Sequence, residues 1–185
     1  MRVSPSQHDI AKAFANLKSD VSFAESRALF EQGLPIAEML QAMALRPELL
    51  EAFSHFGKCL YPGGLLERSL KERVILKASL LNNCQFCSAS HISLMQGLGI
   101  SARPVEELES ELNSLSRREQ IAVLYTEQVT LDSNNVADSM FEELRRLFTE
   151  AEIVELTFLI GFINMLNRFN NALRITYRGD YDRRQ

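Results

Sequence analysis

The chain has 185 residues, 46% hydrophobic and 24% charged, a composition suited to one globular domain (1–185) with a substantial core. Its net charge of −4 and pI near 5.5 lack the positive footprint of a nucleic-acid binder, and the pairs Arg145-Arg146 and Arg183-Arg184 read as solvated surface and tail. No apolar run reaches the roughly 18 residues of a membrane span. Met1 to Pro5 carry no signal-peptide core, and three cysteines without a secretion signal suit a reducing cytoplasm, the expected location.

In chain order the pattern is helical almost throughout. Ser4-Pro5 reads as a cap with proline at the first helical position, opening a helix over 6–18 with Ile10, Ala13, Phe14 and Leu17 on one face. A second helix, about 22–32, ends at Gly33. Pro35 opens a third with Ile36, Met39, Leu40 and Met43, and Pro47 a fourth with Leu50, Phe53 and Phe56. Pro62-Gly63-Gly64 breaks the chain. Residues 66–82 form an apolar helix interrupted at Asn82-Asn83, and a new helix starts near Cys84 and stops at Gly97 or Gly99. Pro104 to Leu112 is short and acidic, a weak boundary between two helical halves. Ser116 with Glu119 forms a capping box that opens a helix to about Thr130, and residues 136–148 form another. Thr149 with Glu152 opens a long helix to about 173. With no alternating strand pattern, the expected fold is all-α, with eight to nine helices.

The chemistry concentrates in residues 66–98. Cys84 and Cys87 form a Cys-x-x-Cys, His91 follows four residues later, and Glu72 lies twelve residues before the first cysteine. A thiol is a nucleophile as the thiolate, and a helix N-terminus favours that charge. If the helix starts near Asn83, Cys84 lies at its end and Cys87 one turn in, so the sulfurs can meet. His91, on the same face, can take the Cys87 proton or hold its thiolate. On a straight helix Glu72 would sit ~18 Å away. It reaches His91 only if the chain reverses at Asn82-Asn83. These parts suffice for peroxide reduction: the Cys87 thiolate attacks the O–O bond and becomes a sulfenic acid, then Cys84 condenses with it to a disulfide that an outside dithiol reduces.

Other readings of the same residues stay open. The motif resembles a zinc half-site, although no second Cys-x-x-Cys or His-x-x-x-His accompanies it. The cysteines could be inert core residues beside a surface histidine, and Glu72 a surface carboxylate between Lys71 and Arg73. Cys59 reads as a packed helix-end cysteine, His55 as a satisfied structural histidine and His8 as exposed. Asn164, Asn167, Asn170 and Asn171 are unusual in so apolar a helix and suit either a polar pocket or a structural network.

Glu72, Cys84, Cys87 and His91 match the Glu-x11-Cys-x2-Cys-x3-His pattern of the alkylhydroperoxidase AhpD-like, carboxymuconolactone decarboxylase superfamily. Ser116-Arg117-Arg118-Glu119 and the stretch from Glu155 to Asn171 resemble its peroxidase-related branch, and the likeness runs from about 45 to 175. The resemblance implies an all-α fold with the motif on a helical hairpin, in homo-oligomers that are often trimers or hexamers. It implies Cys87 as the peroxide-reacting cysteine, Cys84 as the resolving one, and His91 with Glu72 as the proton relay. The expected activity is a thiol peroxidase acting on small organic or hydrogen peroxides, with no cofactor or metal and with a dithiol donor such as a lipoylated protein. A general disulfide reductase or redox sensor, or a decarboxylase-like enzyme, is the alternative. Phe86 stands where AhpD itself has a histidine before the second cysteine. Lactone decarboxylases of the superfamily usually lack the cysteine pair.

Overall fold

A computed structural model describes residues 1–100 and 115–179. The short acidic segment expected at 104–112, the boundary it suggested and the tail arginines Arg183-Arg184 lie outside the described residues. Those described form an all-α fold of nine helices and a 3-10 turn: α1 (Gln7–Asn16), the turn (Val21–Phe23), α2 (Ala24–Glu31), α3 (Glu38–Ala44), α4 (Pro47–Leu60), α5 (Arg68–Leu81), α6 (Gln85–Gly97), α7 (Arg117–Asp132), α8 (Asp138–Leu147) and α9 (Glu150–Leu173).

Local sequence sets most of these boundaries. Pro47 sits in the first turn of α4, where a missing N–H costs nothing. Both expected capping boxes form, Ser116 with Glu119 opening α7 and Thr149 with Glu152 opening α9. Two starts differ from the sequence expectation. Helix α1 is capped by Ser6: its Oγ accepts from the Asp9 amide at 3.2 Å, and the Asp9 carboxylate accepts from the Ser6 amide at 2.8 Å. That reciprocal box outcompetes a start at Ser4-Pro5. Helix α3 begins at Glu38, three residues after Pro35. The Glu38 carboxylate is buried and accepts from the Thr176 amide and from Arg178, both at 2.9 Å, fastening the N-terminal helices to the chain after α9.

Helix α5 is the axis of the molecule, packed against α6, α7 and α9, while α1 lies on α3 and α4. Its buried set (Leu70, Lys71, Glu72, Val74, Ile75, Leu76, Ala78 and Ser79) wraps around it, as a helix enclosed on several sides requires. The core runs continuously from Ile10 to Ile175. Phe56 and Phe162 (ring centroids 4.6 Å apart), with Phe53 and Phe158, bind α4 to α9. No helix among the described residues is long and apolar enough to cross a membrane.

The chain reverses between α5 and α6. Asn82 ends α5 and Asn83 takes a left-handed backbone, φ 51°, which asparagine tolerates better than most residues. The Cys84 amide then donates to the Ser79 carbonyl at 2.8 Å. Helix α9 braces the turn: the Asn82 amide group donates to the side-chain oxygens of Asn164 and Asn167 at 2.9 and 3.0 Å, and Asn171 donates to the Asn82 carbonyl at 2.8 Å. Three of the four unusual asparagines thus hold the hairpin together.

Candidate active site

The reversal lays α6 beside α5 and brings Glu72 to His91, whose Nδ1 is 2.6 Å from the Glu72 carboxylate. Glu72 is fully buried rather than a surface carboxylate. It also accepts from the Tyr61 hydroxyl at 2.5 Å and the Arg68 Nε at 2.6 Å. Arg68 stacks on the Tyr61 ring, 4.2 Å from its centroid, and donates to the Tyr61 hydroxyl at 2.6 Å. Burial pushes the Glu72 carboxyl up, but the hydrogen bond and charge of His91, the Tyr61 hydroxyl and the Arg68 charge outweigh it and hold the group below its ordinary range. Glu72 is therefore a carboxylate at neutral pH, and with Nδ1 committed to it the Nε2 of His91 is left to exchange a proton.

Cys84 is the N-cap residue of α6, and its sulfur accepts from the Cys87 amide at 3.4 Å. Both cysteines are free thiols and buried. The hydrogen bond from the Cys87 thiol, helped by the backbone amide, lowers Cys84 to about 7 despite burial. The same shared proton, with burial and the neighbouring charge, pushes Cys87 up. One proton thus leaves the pair readily and the second is held. The two sulfurs differ in access as well. Cys87 and His91 line a cavity of about 460 Å³, whereas Cys84 lies behind its wall. Among the described residues no hydrogen bond joins His91 to either thiol; the Cys87 sulfur instead accepts from Asn170 Nδ2 at 3.2 Å. Phe86 forms another part of the cavity wall and packs edge-on against Tyr177.

Tyr61 and Arg68 are the site residues that sequence reasoning missed, whereas Asn170 is one of the four asparagines it had left open to a polar pocket or a structural network. Arg68 lies four residues before Glu72, the spacing of a helical ion pair, and this signal could have been read. Tyr61 and Asn170 arrive through tertiary packing. Cys59 is exposed, not packed, one residue before the end of α4. His55 is likewise exposed on α4 and His8 exposed on α1, both away from the cavity. Among the described residues no group of three or more His, Cys, Asp and Glu side chains is placed to hold a metal ion.

Residues 47–112, which carry the whole motif, match the model of the carboxymuconolactone decarboxylase family. An uncharacterized Bacillus subtilis protein, YdfG, is 28% identical over 111 residues, 58% of this chain and 76% of its own. A peroxidase-related protein from Silicibacter sp. TM1040 superposes with a TM-score of 0.74 at 20% identity, over 99% of this chain and 92% of its own. A protein from Agrobacterium tumefaciens, ascribed to AhpD antioxidant defence, has a TM-score of 0.66 and 26% identity over 74% of this chain and 95% of its own. The debrominase Bmp8, solved with 2,3,4-tribromopyrrole, shares the fold at a TM-score of 0.62 and 18% identity, over 90% of this chain and 91% of its own. With the motif and the helical hairpin, these matches make residues 47–112 similar to the carboxymuconolactone decarboxylase family and give the described residues a fold shared with AhpD-like, peroxidase-related proteins.

Proposed function

We propose that the protein is a thiol-dependent peroxidase that reduces organic or hydrogen peroxides through a Cys84–Cys87 dithiol cycle. One observation carries this reading: two free thiols at the start of α6, the Cys84 sulfur accepting from the Cys87 amide at 3.4 Å, with Cys87 lining a cavity that His91 also lines. In the resting pair the charge rests on Cys84. As peroxide enters, the Cys87 proton passes to Cys84 and the Cys87 sulfur attacks the terminal oxygen. An S–O bond forms, the O–O bond breaks, and the departing alkoxide takes a proton from His91, which Glu72 holds in orientation. Cys84 then attacks the Cys87 sulfenic acid. The S–S bond forms, and the hydroxyl leaves as water with the Cys84 proton. The sum is one thiol, one thiolate, the proton of the His91 imidazolium and ROOH giving a disulfide, ROH and water, after which His91 regains its proton from solvent. An external dithiol, such as a dihydrolipoyl group on a partner protein, returns the disulfide to thiols.

The test is turnover with several peroxides and several dithiol donors, combined with mass spectrometry after brief peroxide treatment. The expected result is loss of two protons as a Cys84–Cys87 link and no turnover by Cys87→Ser. Folded protein whose thiols both stay free overturns the reading. A disulfide that forms with chemical oxidants but cycles with no peroxide would favour a disulfide reductase. Thiolate absorbance at 240 nm should titrate with a midpoint of about 7, and Cys84→Ser should remove that step.

A further inference from the structure

The outer side of α9 carries exposed residues at alternating spacings of three and four: Ala151, Val154, Phe158, Gly161, Met165 and Arg168. Val154, Phe158 and Met165 are 63%, 57% and 55% exposed, although α5, α6 and α7 pack against other sides of the helix. An alternation of three and four is the seam of a coiled coil, and it runs here for ~26 Å. Leu65, itself exposed, extends the apolar strip at its start, since its amide donates to Glu155 in the second turn of α9. Large apolar side chains aligned in this way on a surface mark an interaction site.

Two further features say what covers this strip. Gly161 stands in the interior of a 24-residue helix, although glycine is a poor helix former. Nothing within the chain demands it there, because a Cβ at this position would meet no atom within 4 Å. What a missing side chain supplies at such a place is close approach from outside. Charge is also divided along the helix. Glu150, Glu152 and Glu155 lie in its first half, and the second half carries Arg168 and no acid. Glu150 is exposed at one end of the seam. Arg168, at the other, donates to the backbone and side-chain oxygens of Asn164 and has no carboxylate partner among the described residues.

We propose that this seam binds the same seam of a second copy of the chain, antiparallel, about a two-fold axis level with the midpoint between Phe158 and Gly161. In that register Phe158 of each copy enters the gap over the partner's Gly161, and Met165 meets the partner's Val154. Arg168 lies beside the partner's Ala151, within a turn of the partner's Glu150. Each large side chain faces a smaller one and the cation faces an acid, the self-complementarity that a two-fold interface requires. A parallel pair would instead oppose Phe158 to Phe158, leave a void between the two Gly161 positions and set Arg168 against Arg168. Family resemblance alone implied a homo-oligomer; the seam names the surface, the orientation and the register. Leu159, Phe162 and Ile163 of the same helix line the cavity, so the partner backs the cavity wall.

Light scattering reads the mass of the assembly, and disulfide trapping reads the register. Wild type should form a dimer or another even-numbered assembly. Gly161→Leu fills the seat of the partner's Phe158 while suiting a helix, and it should halve that mass. Val154 and Met165 are ~16 Å apart along one helix, too far for a disulfide within a chain, but they face each other between copies. With the exposed Cys59 replaced by serine, the double variant Val154→Cys/Met165→Cys treated with diamide should therefore run as a covalent dimer whose links join positions 154 and 165. Each of these two substitutions made singly should stay unlinked. If Gly161→Leu fails to fold, Met165→Glu, at an exposed position, takes its place and should halve the mass in the same way. A monomeric wild type would mean that something other than a second copy covers the seam, and it overturns the proposal. So does an odd-numbered wild type, an unchanged mass in the seam variant, or a double variant that forms no link between 154 and 165. None of these readouts uses peroxide turnover, so they stand or fall apart from the peroxidase reading.

Discussion

Lys71 and Glu72 are adjacent on α5, carry opposite charges and are both fully buried, yet their surroundings differ in kind. The Lys71 ammonium is closed in. It pairs with Glu155 at 2.6 Å and donates to the carbonyls of Leu60 and Gly63, while Glu155 accepts from the amides of Leu65 and Leu66. Every arm ends on protein, and the result locks the break between α4 and α5 onto α9. The Glu72 carboxylate is equally well satisfied, but its three partners, Tyr61, Arg68 and His91, all line the cavity, and the Nε2 of His91 is not engaged by Glu72. Burial of charge alone does not mark a functional site. What distinguishes the Glu72 centre is that its network ends on a histidine that lines the same cavity as Cys87.

The largest expected effect is on the closed centre. Lys71→Met strands Glu155 and two carbonyls, and removing one partner of a buried ion pair costs about 3–5 kcal/mol. Chemical denaturation should show that loss, while peroxide turnover per folded molecule stays within about twofold of wild type because nothing at Cys87 moves. A proportionate loss of turnover would erase the distinction between the centres.

Glu72→Gln should do the reverse. It preserves shape but removes the charge that orients His91, and loss of a positioned proton relay lowers rates by about 10²-fold. Its stability deficit has a definite pH signature. A carboxyl held below its ordinary 4.5 stabilises the fold above that value and loses its contribution as pH falls through the depressed value. The gap in unfolding free energy between wild type and Glu72→Gln should therefore be full at pH 7 and shrink in acid. A gap that widens in acid would contradict the network.

Next comes Gly64, where the closed centre admits no side chain. Its φ is +100°, and a Cβ would collide with the Lys71 ammonium and the Glu155 carboxylate. Gly64→Ala is expected to cost more than about 1 kcal/mol through both strain and displacement of the pair. Thermal melting measures the cost, and turnover at 25 °C should be unaffected.

How much of this was legible in the sequence depends on whether the signal was local. Ser116 with Glu119, Thr149 with Glu152, Pro47 and the Asn82-Asn83 reversal are short-range devices, and the helices they delimit follow from them. The same holds for Glu72 meeting His91, which needed only the reversal. The start of α3 was not readable, because the partners of Glu38 lie almost 140 residues away, at Thr176 and Arg178. The division of the four asparagines, three bracing the hairpin and Asn170 facing Cys87, depends on how α9 rotates against α5 and α6. Neither composition nor periodicity encodes that rotation. The proton sharing that favours charge on Cys84, while Cys87 faces the cavity, is likewise a property of the folded pair.

The smallest expected effect concerns Phe86, and it tests whether the Glu72 centre suffices by itself. AhpD carries a histidine at the corresponding place, so Phe86→His restores a second proton-exchanging group beside Cys87. Here the phenyl ring is buried, forms part of the cavity wall and meets the Tyr177 ring edge-on at 6.0 Å. An imidazole would lose part of that packing, worth about 1 kcal/mol for an aromatic pair, and would find apolar neighbours where it needs hydrogen bonds. With His91 already oriented by Glu72 and available to the cavity, turnover should change by less than about threefold and the melting temperature should fall by a few degrees. A tenfold rise in turnover would show that the Glu72–His91 pair alone does not move protons fast enough, and that the open centre is incomplete in a way the closed one is not.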